Sequence, residues 1–497
     1  MLEQEIKLLQ GAAALSIELK NREVLASEEE RKLYFEIRNK GQELAADVSI
    51  TLQVDSPAIS FPNCTKTDID IIESGKSKEI SFSITPHVPA KTILKGTLTF
   101  SDRVMEGKRE SFAFPVTILK KSAEFKEIKN PYIVGQPLKG NAPLFFGRED
   151  AHEFIDKNIL ASGGHHTIVC HGLRRTGKTS LLYRIGTQGL TDKRLIPINI
   201  DMQGIDDEKD FYHTLSNAII EELSLQSASP VENFYRFKGF LKDIKPQLGK
   251  RIIVLMVDEF EELQMRVEER KISKSVFSNI RHLMQHEEKL IFLFCGTHQL
   301  QEMSADYWSI FFNTAIYFRI SHLKREDAIR LIKEPVKDQL TYDDLAVEQI
   351  LKMTNGQPYL TQLICRTLVN DLNENKKRND ALIDDVDDVV EHIINEGKEH
   401  FSQHIWDESS QLERLIISAA AEELTHKQLD HVGPDAIFDK IKQLLPDFSR
   451  KQSMEALDKL VSKEILAERN LRYWFPVNLL RKWIAARYPL RKVREEI

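Results

Sequence analysis

Residues 166–179 read HTIVCHGLRRTGKT: an apolar run, a glycine, four residues, a second glycine and then Lys-Thr. A chain carrying this stretch has few ways to fold. HTIVC (166–170) has the continuous apolar character of a strand covered on both faces. Gly172 and Gly177 allow the backbone to curl so that successive N–H groups point inward. From Lys178 to Ile185 and onward the spacing is helical, so the curl opens a helix whose first turn carries partial positive charge. A strand, a glycine-rich curl and a helix together make a phosphate cradle at the edge of an α/β sheet. The stretch satisfies G-x-x-x-x-G-K-[ST]. Its candidate phosphate-contacting residues are Gly172, Arg174, Arg175, Thr176, Gly177, Lys178, Thr179 and Ser180. Lys178 is placed to neutralise the β- and γ-phosphates during transfer, and Thr179 to offer its hydroxyl to Mg²⁺.

Phosphate chemistry needs further groups, and two later strands supply candidates. RIIVLMVDEFEEL (251–263) is an apolar strand ending in two carboxylates. Asp258 is the candidate Mg²⁺ support, through water. Glu259 is the candidate for orienting or deprotonating an attacking water. Glu261 and Glu262 are expected to be solvated or structural. LIFLFCGTHQL (290–300) ends in Gly296-Thr297. A central strand lies between the two motif strands in such a sheet, so Thr297 is a catalytic candidate that senses the γ-phosphate or holds water. The alternative is a strand-end threonine capping the next helix. His298 is expected to be local structure.

Texture divides the chain. In residues 1–122 apolar side chains occupy alternate positions in LSIEL (15–19), LYFEI (33–37), VSITLQV (48–54), ISFSI (80–84), TLTF (97–100) and FAFPVTI (112–118). This is the period of half-buried antiparallel strands. Six or seven such strands predict an all-β, immunoglobulin-like sandwich, without the Cys–Trp–Cys core of antibody domains. It carries no catalytic constellation and is expected to be a separable packing or recognition module. Residues 123–144, rich in Pro and Gly, read as a linker. From 145 to 321 strands at 166–170, 195–200, 252–257, 290–294 and 315–320 alternate with helices, including 210–223 and 276–285. This predicts a three-layer α/β core around a five-stranded parallel sheet. After about Ser321 strands disappear. Residues 322–405 read as a helical domain, with a last helix over 387–401. Residues 406–497 read as three helices followed by a β-hairpin turning near Arg469-Asn470, the winged-helix pattern.

FFGRED (145–150), GLRRTGKTSLL (172–182), VDEFEEL (257–263), FCGTHQL (294–300) and NGQPYLTQLI (355–364) occur in that order. Over residues 130–497 the chain resembles the STAND class of P-loop ATPases, relatives of AAA+ proteins, in its prokaryotic members. The resemblance implies that Arg148 contacts the nucleotide, that Phe146-Gly147 lie near the adenine, and that Pro358 packs on the base from a helical lid. It implies ATP and ADP as ligands with Mg²⁺, slow hydrolysis, and assembly of identical subunits in the ATP state. Members of the class act in signalling and in defence against phage. The chain departs from the class in two ways. No arginine stands out as a finger among Arg174, Arg175, Arg281, Arg319 and Arg325. No superhelical repeat follows the winged helix. The sensor for an unidentified protein trigger or effector is expected to be the sandwich or a separate protein.

A net charge of −7 argues against attraction of the whole protein to nucleic acid or anionic membrane. Locally, residues 450–497 hold twelve Lys/Arg against six Asp/Glu. DNA binding by an initiator-like AAA+ ATPase is therefore the second expectation. The competing one is that Leu479, Leu480 and Trp483 dock a helix on the protein and leave its basic face in water. The four cysteines are far apart, and Cys170 and Cys295 sit in apolar runs as small buried hydrophobes. Their pattern, with no signal peptide and no apolar run long enough to span a bilayer, predicts a cytoplasmic protein without membrane contact.

Overall fold

In the computed structural model, residues 12–495 are described, apart from 55, 64, 104, 121–123, 161–165, 226–230, 298–314, 397–400, 402–404, 428 and 446–448. His298 and Cys64 lie outside the described residues. The chain forms two compact units.

The first unit runs to Lys129 and includes Val336–Gln349 and Leu368–Asp387. Its all-β part has nine strands: β1 (Leu15–Leu19), β2 (Glu23–Leu25), β3 (Arg31–Asn39), β4 (Ala45–Val54), β5 (Ile59–Ser60), β6 (Lys66–Ile72), β7 (Ser77–Pro86), β8 (Ala90–Ser101) and β9 (Lys108–Leu119). They form a four-stranded sheet, β1-β3-β7-β5, and a five-stranded sheet, β2-β9-β8-β4-β6. Alternation along each strand sends one face inward. Leu33, Phe35 and Ile37 of β3 and Phe82 and Ile84 of β7 thus share one core with Ile50 and Leu52 of β4 and Leu94 and Leu98 of β8. All six strands predicted from alternation are present; β2, β5 and β6 are additional. In β6 the buried residues are Ile69 and Ile72, three apart, because Asp70 is in a left-handed conformation (φ 65°) at an irregular register with β4. That bulge hides the period of two.

The same unit holds Thr341–Tyr342 (β15), paired in parallel with Asp380–Ala381 (β16). The expectation that strands end near Ser321 is corrected here: a two-residue pair is too short to show periodicity. Asp344 accepts from the backbone N–H of Arg22 (3.1 Å) and Glu23 (2.7 Å), and Asp343 from Leu25 (3.3 Å). Asn379 donates to the Lys126 carbonyl and accepts from the Lys126 N–H at 2.7 Å.

In the second unit β10 (Ile168–His171), β11 (Leu195–Asp201), β12 (Ile252–Asp258), β13 (Leu290–Gly296) and β14 (Ile316–Arg319) build one parallel sheet in the order β11-β12-β13-β10-β14. Consecutive residues of β12 serve opposite layers. Ile253, Leu255 and Val257 pack with Phe211 and Leu215 of α3 (Glu208–Leu223), Phe237 of α4 (Phe234–Leu248) and Ile280 of α6 (Ser275–His286). Ile252, Val254 and Met256 pack with Ile155 of α1 (Glu149–Asn158) and Leu181 and Ile185 of α2 (Lys178–Gln188). This is the three-layer core expected from the sequence, with α5 (Glu261–Glu268) added directly after β12. Burial pushes the Cys170 thiol up to about 12, as befits a small core residue.

Farther along are α7 (Arg325–Lys333), α8 (Asp344–Thr354), α9 (Pro358–Asp371) and α10 (Ile383–Glu396). Three helices follow, α11 (Gln411–His426), α12 (Pro434–Lys442) and α13 (Arg450–Ser462). Next comes a hairpin, β17 (Ala467–Arg469) with β18 (Arg472–Trp474). Its turn residues Asn470 (φ 55°) and Leu471 (φ 58°) are both left-handed, which suits the right-handed twist of a two-residue hairpin. The helices α14 (Asn478–Arg487) and α15 (Leu490–Glu495) close the described chain. Leu479, Leu480 and Trp483 are buried, so α14 docks through its apolar face.

Candidate functional site

β10, β12 and β13 lie side by side in the sheet, so the motif segments that follow them meet at one edge. The Gly172 N–H donates to the Gly296 carbonyl at 3.2 Å, and a Cβ built on Gly172 would lie 2.1 Å from the Ile320 carbonyl oxygen. Only glycine passes there. At the other end of the curl Gly177 (φ 90°) is the N-terminal cap of α2, and Arg175 (φ 65°) is also left-handed. The Thr176 hydroxyl, fully buried, donates to the Leu173 carbonyl at 2.8 Å and ties the curl across itself. Lys178 Nζ lies 2.9 Å from the Leu173 carbonyl and 3.2 Å from that of Gly172. Ser180 Oγ accepts from the Leu138 N–H at 2.9 Å.

At the end of β12, Asp258 is buried and hydrogen-bonds to Thr179. Burial raises its pKa, against the Thr179 hydrogen bond and the Lys178 charge. The Glu259 N–H donates to Asp258 Oδ1 at 3.0 Å, and Glu259 is itself left-handed (φ 48°). Its carboxyl is pushed up to about 7, first by burial and then by the charge of Glu261. Glu261 is 4% exposed and accepts the Thr297 N–H at 3.0 Å, so it is structural and not solvated.

Arg148 comes from a different place in the chain. Gly147 (φ 71°) and Arg148 (φ 75°) turn the backbone before α1, and Arg148 Nη2 donates to the Thr176 carbonyl at 2.7 Å. Burial lowers the guanidinium pKa, opposed by the charges of Asp150 and Asp327. Just before α9, the Gln357 side-chain amide lies 3.3 Å from the Arg175 carbonyl, and within α9 the Tyr359 ring centre lies 4.1 Å from the Arg175 guanidinium.

These groups surround a cavity of about 520 Å³. Its walls include Phe146, Arg148, the curl from Arg174 to Ser180, Asp258, Glu259 and Pro358. Of the predicted site residues, three lie outside its lining, Gly147 against Asp327 among them. Gly172 sits behind the curl against Ile320. Thr297 faces a neighbouring cavity, held by Glu261. Sequence reasoning missed Asp201, Gln203, Tyr183, Tyr359, Gln362, Ile133 and Gly135–Leu138, all of which line the cavity. Residues 133–138 fall in the segment read as a linker. Ile133 is tied to Gln362 (3.3 Å) and Leu138 to Ser180. Asp201 was findable, because the run LIPINID ends in a carboxylate, and it pairs with Asp258 across β11 and β12.

The cavity is large enough for a nucleotide. Its chemistry fits one: inward cations at the curl, a hydroxyl bonded to a buried carboxylate beside them, and aromatic and proline surfaces farther out. Comparison with known proteins agrees. Residues 145–364 match a family described as an ATPase domain predominantly from Archaea, and residues 12–110 match CARDB. Among solved structures, a Walker-type ATPase of Pyrococcus abyssi shares 13% identity. The match covers 70% of this chain and 98% of that one, with a TM-score of 0.52. Cdc6p of Pyrobaculum aerophilum (14% identity, 71% and 97% coverage) and the ADP form of the Aeropyrum pernix ORC2 protein (12%, 73% and 96%) give TM-scores of 0.39 and 0.43, too low to carry argument. No curated protein matches. Residues 145–364 therefore match an archaeal-type ATPase domain and share the fold of a Walker-type ATPase, and an all-β region precedes them. Among the described residues no helix is long and apolar enough to cross a membrane.

Proposed function

We propose that the protein binds and slowly hydrolyses ATP and uses the nucleotide to switch between two conformations, the STAND-type reading of the sequence. One observation supports this most: a single cavity gathers the curl, Asp258 and Glu259 from the sheet edge with Pro358 and Tyr359 from the start of α9. Arg174, Arg175, Lys178 and the N–H groups of the curl hold the phosphates. Thr179 would offer its hydroxyl to Mg²⁺ and Asp258 would support the ion through water; when bound, it would neutralise charge on the phosphates. Glu259, held neutral at moderately acid pH, takes a proton from water once ionised. Phe146 and Pro358 flank the base. Because Pro358 and Tyr359 belong to the helical segment and the curl to the core, ATP and ADP that fit the two walls differently shift the segment's position. Thr297, hydrogen-bonded to Glu261, positions that carboxylate and with it the charge that raises Glu259.

The remaining elements have roles in the same proposal. Residues 322–405 act as lid and 406–497 as a winged helix; the hairpin after three helices supports the second assignment. The sandwich receives a protein trigger, and subunits of the ATP form assemble. A DNA-handling role has one observation in its favour: the hairpin tip exposes Arg469, Leu471 and Arg472.

The deciding experiment is the solution mass of the Glu259→Gln protein with ADP, with ATP–Mg²⁺, and with ATP–Mg²⁺ plus a short DNA duplex. Growth with ATP alone supports the switch. Growth that requires DNA and fades with salt supports the second role. An ATP-bound protein of unchanged mass refutes assembly.

A further inference from the structure

α9 begins against the curl: Gln357, just before it, meets the Arg175 carbonyl, and the Tyr359 ring in its first turn faces the Arg175 guanidinium. Pro358 and Gln362 lie four residues apart, so they share one face of the helix, and both line the 520 Å³ cavity. Gln362 is one turn, roughly 5 Å, farther along α9 from the curl than Pro358. The nucleotide reading puts phosphates at the curl and the base between Phe146 and Pro358. In a purine, the edge farthest from ribose and phosphates carries N1 and the group at position six. Gln362 stands on that side of the cavity.

The two glutamines at the start of α9 are both 7% exposed, and they differ in one respect. Gln357 spends both ends of its amide on the protein: Oε1 accepts the Leu360 N–H at 2.7 Å, and Nε2 donates to the Arg175 carbonyl. Gln362 spends one. Its Oε1 accepts the Ile133 N–H at 3.3 Å. An N–H only donates, so the oxygen faces Ile133 and Nε2 points elsewhere. Among the described residues nothing accepts from that Nε2. Neighbouring atoms do not seal it, so it is open to the cavity that the residue lines. A donor on so buried a side chain costs free energy unless an acceptor meets it.

We infer that Gln362 selects the base, by donating from Nε2 to N1 of adenine. The inference rests on the nucleotide reading of this cavity and adds the choice of base to it. Adenine N1 is a bare acceptor. In hypoxanthine and guanine N1 carries a hydrogen, so two donors would face each other and both would go unmatched. The amide cannot turn over to suit those bases without giving up the Ile133 N–H. The segment that carries Ile133 is itself tied to Ser180 through Leu138, which keeps the amide in one orientation. Gln362 is a specificity residue and takes no part in hydrolysis.

The test is calorimetric titration of the full chain with ADP, 1-deaza-ADP, 7-deaza-ADP and IDP. ADP and 7-deaza-ADP are expected to bind alike, because N7 is not contacted. 1-deaza-ADP, with carbon in place of N1, is expected to bind about tenfold more weakly, the worth of one buried hydrogen bond. IDP is expected to bind about tenfold to a hundredfold more weakly than ADP, since it brings a donor to a donor. In Gln362→Met both differences shrink to about twofold or less. A merely structural role would weaken all four ligands together and keep the differences. Equal affinity of the parent for ADP and 1-deaza-ADP overturns the contact to N1, and so does a difference that survives in Gln362→Met. Weakened binding of 7-deaza-ADP alone would put the donor at N7 and overturn the choice of edge. The parent's own series decides the matter whether or not the methionine variant folds. A parent that binds no nucleotide overturns the reading of the cavity and this inference with it, whereas a parent that binds ADP but ignores N1 overturns this inference alone.

Discussion

Arg148 Nη2 donates to the backbone carbonyl of Thr176 at 2.7 Å, so a side chain twenty-eight residues upstream holds the glycine-bounded curl after β10. Arg148 therefore has two effects, one on charge and one on the shape of the curl. Replacement by Ala removes both, and replacement by Lys keeps only the charge. Arg148→Ala is expected to weaken ADP binding by about tenfold to a hundredfold, the worth of one charged hydrogen bond. Arg148→Lys is expected to fall nearer to Ala than to the parent, because a lysine lacks the fork that reaches the Thr176 carbonyl. Calorimetric titration with ADP ranks the three proteins. A lysine variant equal to the parent would leave only charge for Arg148 to supply.

That contact also shows what the sequence could and could not convey. The curl and both carboxylates were legible because strand, glycine spacing and helix must coincide for the chemistry to work. Five strands of the sheet were legible because buried parallel strands are continuous apolar runs. Residues 133–138 were not legible. Ile133 and Gly135–Leu138 line the cavity in irregular backbone, bent at Gly135 (φ 88°) and tied to Gln362 and Ser180, and such a segment has no period to detect. Tyr359 and Gln362 were hidden inside a helix whose apolar spacing already accounted for itself. β6 was hidden by the bulge at Asp70.

Two glycines of the curl predict different costs. At Gly172 a Cβ would lie 2.1 Å from the Ile320 carbonyl, whereas around Gly177 a Cβ meets nothing within 4 Å but the backbone is left-handed at φ 90°. Gly177→Ala therefore carries backbone strain alone, about 1–2 kcal/mol. Gly172→Ala forces β10 and the segment after β14 apart and costs more, about 3 kcal/mol or beyond, as overpacking in a tight core does. Urea denaturation of both variants checks the order, and a reversal would contradict the close approach at Ile320.

The raised carboxyl of Glu259 gives a pH dependence with a definite sign. Its pKa is about 7 in the fold against an ordinary 4.5. Between these values the folded state binds more protons than the unfolded one, so this residue's contribution makes stability fall as pH rises from about 4.5 to 7. Glu259→Gln removes that slope. The variant is expected to be more stable than the parent at pH 8 by a few degrees in Tm and close to it at pH 4.5. Hydrolysis by the parent should rise through about pH 7 as the base ionises, and the Gln variant should bind ATP with at least about a hundredfold less turnover. Thermal melts and single-turnover rates across pH 5–9 read both, and a flat rate profile would remove Glu259 as the base.

The sandwich was expected to be separable, and its hydrogen bonds predict otherwise. Asp343, 3% exposed, accepts the Leu25 N–H, and Asp344 accepts those of Arg22 and Glu23. Residues 336–349 and 368–387 belong to the same compact unit. Removing residues 1–122 would take away every one of those donors and expose the surface around a carboxylate whose pKa burial already raises. The truncated protein is expected to lose several degrees in Tm, whereas Asp344→Asn in the full chain should cost only about 1 kcal/mol, since an amide oxygen still accepts from Arg22 and Glu23. Restoring the deleted fragment in trans should recover part of the lost Tm, because the partners are preformed on both sides. Truncation without any change in Tm would show that the β-region contributes nothing to the stability of the helical segments it bonds.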